Sequence, residues 1–364
     1  MSFTKFKRWF AILACAAFGG ACMDYGPYEV EDFGITGSGL FITNEGNFMY
    51  GNASLSYYDP EKKQVENEIF FRANGFKLGD VAQSMVIRDG IGWIVVNNSG
   101  VIYAIDIDTF KEVGRIEGFT SPRYIHFLSD TKAYVTDLFS PYLTVFDPRT
   151  CKITGAIHTG QAPSTGSYNS TEQMAQYGKW VFVNCWSYSN KILVIDSEQD
   201  KVVHEIELRS IQPNSLVVDR NGKLWALTDG GYAGSEYGQT EPCLYRIDAA
   251  TWRVEQEFVF EKEEYPSELC INGAGDVLYF INDGICKMSV TAAHAPTRPL
   301  IPNQKNCLIY GLAIDPTNGE IYVGDAIDFE QPGVVYRYRD TGQGAELVDS
   351  FGVKGMLPSA FAFK

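Results

Sequence analysis

The chain has 364 residues, 45% hydrophobic and 14% aromatic, enough to bury a large core and too apolar for a disordered protein. Its formal charge of -15 repels phosphate backbones, and no basic arm or stripe offsets it, which argues against nucleic-acid binding. Length alone would suggest two or three domains, but no Pro-, Ser- or Gly-rich linker divides the chain.

Residues 1–21 have the form of a signal peptide. Lys5, Lys7 and Arg8 form a positive start, and Trp9 to Phe18 is an apolar run too short to span a bilayer. Gly19-Gly20-Ala21 then places small residues before Cys22, a loose match to a bacterial lipobox. In that case Cys22 is diacylated and begins the mature protein; ordinary secretion is the alternative. Residues 22–36 are acidic and lack alternation, so they are expected to act as a tether between lipid and body.

From residue 37 onward one pattern returns. Leu40-Phe41-Ile42-Thr43-Asn44, Trp93-Ile94-Val95-Val96-Asn97, Ala133-Tyr134-Val135-Thr136-Asp137 and Trp180-Val181-Phe182-Val183-Asn184 are the first four copies. Trp225-Ala226-Leu227-Thr228-Asp229, Tyr279-Phe280-Ile281-Asn282-Asp283 and Ile321-Tyr322-Val323-Gly324-Asp325 complete seven. Each is an aromatic and β-branched run closed by Asn or Asp, as for a buried strand that ends in a turn. A period of roughly 40 to 50 residues with several short strands predicts propeller blades.

The third period shows the grammar most clearly. Tyr124 to Phe127 is the inner strand, Ala133 to Asp137 the second, Leu143 to Phe146 the third and Ile153 to Ile157 the outer one. Inner strands are announced by Pro before an apolar run, as at Pro122, Pro213 and Pro266, and the last such sign is Pro358-Ser359-Ala360-Phe361-Ala362-Phe363. The first period begins directly at a second strand. The expectation is therefore an all-β, seven-bladed β-propeller of four-stranded antiparallel blades over residues 37–364. Its ring would be closed by the C-terminal strand pairing into blade one.

In a propeller the loops between second and third strands share one face with the links between blades, and binding sites are built there. Those loops supply Asn44, Phe48, Tyr50, Asn98, Phe139, Tyr142, Trp186, Tyr188, Tyr232, Tyr237, Asp328 and Phe329, and a blade junction adds Tyr168. Tyr and Trp join a flat apolar surface to a polar tip, and Asn both donates and accepts, so the set suits a large amide-fringed ligand. The histidines at 126, 158, 204 and 294 have no metal-site spacing, and only His158 is expected near the loop face. Cys151, Cys185, Cys243, Cys270, Cys286 and Cys307 lack metal motifs and read as small core residues, with one or two disulfides open. With Gly-x-Ser-x-Gly and P-loop patterns missing, no catalytic constellation rises above background.

Ala133 to Asp137 followed by Leu143-Thr144-Val145-Phe146-Asp147-Pro148-Arg149-Thr150 resembles the repeat of the YVTN or YncE-like propellers of bacterial surface proteins. With its lipoprotein-like start, acidic tether and blade series, the chain also resembles the BtuG-type surface lipoproteins. That resemblance implies a non-enzymatic, lipid-anchored outer-membrane protein facing the cell exterior. It would bind cobalamin and related corrinoids and deliver them to a BtuB-type TonB-dependent transporter. A calcium-dependent hydrolase or lactonase, and a glycan-binding or structural surface propeller, are the other readings left open by the residues.

Overall fold

The protein is described by a computed structural model covering residues 29–160 and 169–364. Residues 1–28, with Cys22, and the segment holding Tyr168 lie outside the described residues. Among those described, the backbone forms seven four-stranded antiparallel sheets and one short helix, Ile69–Asn74. No helix among them is long and apolar enough to cross a membrane.

Each sheet is one blade. In blade three the strands run Pro122–Ser129, Lys132–Asp137, Tyr142–Asp147 and Lys152–His158 from the axis outward, each within two residues of its predicted limits. The seven motif copies are the second strands, sandwiched between neighbouring blades, which is why they are apolar on both faces. Blade six departs from the pattern. Its third strand, Gly284–Ser289, follows the second with only Asn282 and Asp283 between, and its outer strand is Ile301–Pro302 alone.

The ring closes as expected. Pro358–Phe363 is the inner strand of blade one, antiparallel to Leu40–Asn44, with Leu40 opposite Phe363 and Ile42 opposite Phe361. The core is accordingly seven apolar wedges, one between each adjacent pair of blades. Phe361 and Phe363 belong to the wedge that joins blade seven to blade one.

The residues before blade one are not a free tether along their whole length. Glu31 pairs with Arg72 at 2.6 Å, Asp32 with Lys111 at 2.5 Å, and the Phe33 ring packs against Phe110 at 4.9 Å. An acidic segment free of alternation still binds a flank when that flank supplies basic and aromatic partners.

Candidate functional site

The closing Asn or Asp of the second strand is built into the scaffold in blades one to four, whereas Asp283 of blade six is exposed. The Asp137 carboxylate accepts from the backbone N–H of Thr120 and Ser121, pinning the link into blade three. The Asn97 side chain donates to Ser121 Oγ and to the carbonyl of Pro122, and the Asn184 side chain to the carbonyl of Pro213. Asn44, expected among the ligand-binding residues, behaves the same way. It is fully buried and donates to Ser54 Oγ at 3.2 Å and Ser56 Oγ at 3.0 Å, so it braces blade one and is out of reach of a guest.

A different set of residues faces the axis. In every blade the register between inner and second strand slips near the start of the inner strand. A bulge turns the extra side chains out of the ladder, and bulges are concentrated next to sites for that reason. The residues it releases are Gln83, Arg123 with Tyr124, Glu172 with Gln173, Asn214, Glu268, Tyr310 and Ser359, one group per blade, and all of them line a single cavity of about 800 Å³.

The floor of this cup is polar and charged. Glu172 is held by Arg123 through Nε at 2.8 Å and Nη2 at 2.6 Å, while Arg123 Nη1 donates to Gln83 Oε1. The Tyr310 hydroxyl donates to Glu45 Oε2 at 2.8 Å. The Glu268 carboxyl makes no side-chain hydrogen bond among the described residues, and burial, reinforced by Glu45 and Glu172, pushes it up to about 8. Burial also raises Glu45 and Asp229. Burial opposes the charge on Arg123, but the neighbouring Glu172 carboxylate outweighs it and keeps the guanidinium protonated. Val81, Met85, Ile309, Leu312 and Phe361 supply an apolar wall.

Of the residues expected on the loop face, Phe48, Trp186 and Phe329 form the rim of the cup. Phe48 and Phe329 are 63% and 43% exposed, and the Asn47 side chain donates to the carbonyl of Phe329 at 2.7 Å, joining the loops of blades one and seven. Tyr188, Tyr232 and Tyr237 form a second cluster on the loops of blades four and five, with Tyr188 stacked on Tyr237 at 4.1 Å. Phe139 and Tyr142 are exposed on blade three, and Tyr142 meets His158 edge-on at 5.4 Å. Tyr50 is exposed, Asn98 donates to Asp80 at 2.5 Å, and Asp328 caps its own turn through Glu330 and Gln331. Among the described residues no group of three or more His, Cys, Asp or Glu is placed to hold a metal ion.

The floor was missed by reading the loops alone. Its signal was present in the sequence, because the residue after Pro122, Pro213 and Pro358 (Arg123, Asn214, Ser359), and the second residue after Pro266 (Glu268), is one the bulge delivers to the axis.

Fold and site together define a seven-bladed β-propeller with one axial cup ringed by aromatic loops. The chain belongs to the family described as "Domain of unknown function (DUF5074)", whose pattern matches residues 38–333. No curated protein matches the sequence. Solved structures do share the fold. A quinonprotein alcohol dehydrogenase-like protein of Bacteroides thetaiotaomicron has 15% identity and a TM-score of 0.67, over 89% of this chain and 77% of its own. The periplasmic gluconolactonase of Pseudomonas aeruginosa has 11% identity and a TM-score of 0.66, over 90% and 99%. A Lactobacillus plantarum protein has 12% identity and a TM-score of 0.66, over 90% and 100%. At these identities the similarity establishes the architecture and no activity.

Proposed function

We propose that the protein is a binding protein that captures a corrinoid, cobalamin or a close relative, at the axial cup and passes it to a BtuB-type TonB-dependent outer-membrane transporter. The observation that carries the reading is the cup: a wide cavity with an aromatic rim at Phe48, Trp186 and Phe329 over a floor that mixes donors and acceptors. A corrin is a broad, puckered disc with amide arms. Laid across the mouth, its apolar face meets the rim, while its arms meet Gln83, Gln173, Asn214 and the paired Arg123 and Glu172. The bulge residues of the floor sit on strands, and Glu45 and Asp229 directly follow one, so little ordering cost opposes capture. Lipidation at Cys22 would hold this body at the outer membrane facing outward, as a donor to the transporter.

Titration of the purified protein with cyanocobalamin tests the reading. Saturable binding at or below micromolar ligand is expected, and Trp186→Ala with Phe329→Ala should weaken it by at least about tenfold with little change in melting temperature. Absence of binding at micromolar ligand rejects the proposal. Turnover of a gluconolactone by the same preparation would move the reading to hydrolysis, for which a carboxyl kept protonated at Glu268 is a suitable acid.

A further inference from the structure

We infer that the floor of the cup is a subsite for an organic cation, an ammonium or similarly charged group carried on an apolar body. Four carboxyl groups line the cavity, those of Glu45, Glu172, Asp229 and Glu268, and the cation among its lining residues is Arg123. Glu172 takes that guanidinium through Nε and Nη2. The other three are left with neutral partners or none. Glu45 accepts from the Tyr310 phenol, Asp229 from the Gly231 N–H and the Gln212 amide, and Glu268 has no side-chain hydrogen bond among the described residues. The cup is therefore short of positive charge, and a guest that brings it gains two contributions. Its charge favours the ionised form of these carboxyl groups, including the otherwise protonated Glu268, and in a partly desolvated cavity that attraction is stronger than in water. Its apolar body meets the Val81, Met85 and Leu312 wall and the rings of Phe48, Trp186 and Phe329, whose faces also attract cations.

The placement selects an organic cation over a bare metal ion. The four carboxyls come from blades one, four, five and six around the ring, and no three of them are grouped closely enough to share one ion. A bulky cation in a cavity of about 800 Å³ can approach several without that convergence. Anionic guests find no unpaired cation among the lining residues, because the Arg123 guanidinium is already taken by Glu172. The inference does not rest on the corrinoid reading, because it concerns the charge of whatever group enters the cup.

The test uses three probes with one body and different heads: 4-phenylbutylamine, 4-phenylbutan-1-ol and 4-phenylbutyrate, titrated into the purified protein near neutral pH. The amine is expected to bind at least about tenfold more tightly than the alcohol, as for a charge-assisted contact, with the carboxylate weakest. Glu45→Gln with Glu268→Gln should bring amine and alcohol to similar affinity while the circular dichroism spectrum and melting transition persist. Should that pair not fold, Glu268→Gln alone, which removes no side-chain hydrogen bond, should lower the preference several-fold. An alcohol or carboxylate that binds as well as the amine, an amine that fails to bind at millimolar concentration, or a preference that survives in the folded variants overturns the inference. Cyanocobalamin titrated alongside reports separately on the corrinoid reading, since its failure leaves the order of the three heads unaffected.

Discussion

Glu268 shows how one backbone angle sets the chemistry of the cup. Its φ of 53° lies in the left-handed region, which a β-strand residue adopts only where a bulge imposes it, and the bulge points its carboxyl at the axis. There it faces Glu45, Glu172, Arg123, Tyr124 and Tyr310, and burial raises it from an ordinary 4.5 to about 8. The folded protein thus keeps a proton that the unfolded chain releases above about 4.5, so stability from this group is present below that pH and lost as pH rises to about 8. Glu268→Gln should therefore melt above the natural protein at pH 9, by roughly 3–6 °C, with the gap closing toward pH 4.5. A difference that does not vary with pH would show that the carboxyl is solvated. Asn44 gives the opposite lesson, since a residue type suited to ligand contact is spent on Ser54 and Ser56.

At the scale of strands, the seam where the ring closes demands small residues. Gly311, Gly324 and Gly333 of blade seven lie against Pro358 and Ser359 of the closing strand. A Cβ on Gly324 would sit 2.1 Å from the carbonyl oxygen of Pro358, and backbone cannot yield as a flexible side chain does. This explains why the seventh motif copy has Gly where others have Thr, Val or Asn. Gly324→Ala should destabilise the protein by about 1–3 kcal/mol or more, read from denaturant midpoints. An unchanged midpoint would mean that the final strand does not pack so tightly there. The strands and their closure were legible because alternation, turn residues and an unmatched first period are local signals. The bulges were not, because a register slip depends on what the partner strand does.

At the scale of the whole molecule, the described residues are held by seven wedges of apolar side chains and by no cross-link among themselves. The six described cysteines are free, with Cys185, Cys243 and Cys286 buried in the wedges or beside them. Burial pushes the thiols of Cys243 and Cys286 up to about 12, which suppresses the thiolate needed for exchange. Reducing agent should therefore shift the melting temperature by less than about 1 °C, where loss of a structural disulfide would cost several degrees. A larger shift would place a cross-link among these residues.

What the sequence by itself determined is the periodic part of the protein: seven blades, their strand order, the C-terminal closure and the aromatic character of the loop face. Each is written in short-range patterning that a reader can follow along the chain. Only the tertiary structure decided which side chains meet at the axis. Gln83, Arg123, Glu172, Glu268 and Tyr310 lie in different blades, and they come together because each inner strand slips its register and turns a polar side chain toward the same cavity. It also decided that Trp186 and Phe329 share one rim while Tyr188, Tyr232 and Tyr237 form a separate cluster, because loop contacts depend on how the blades are splayed around the ring.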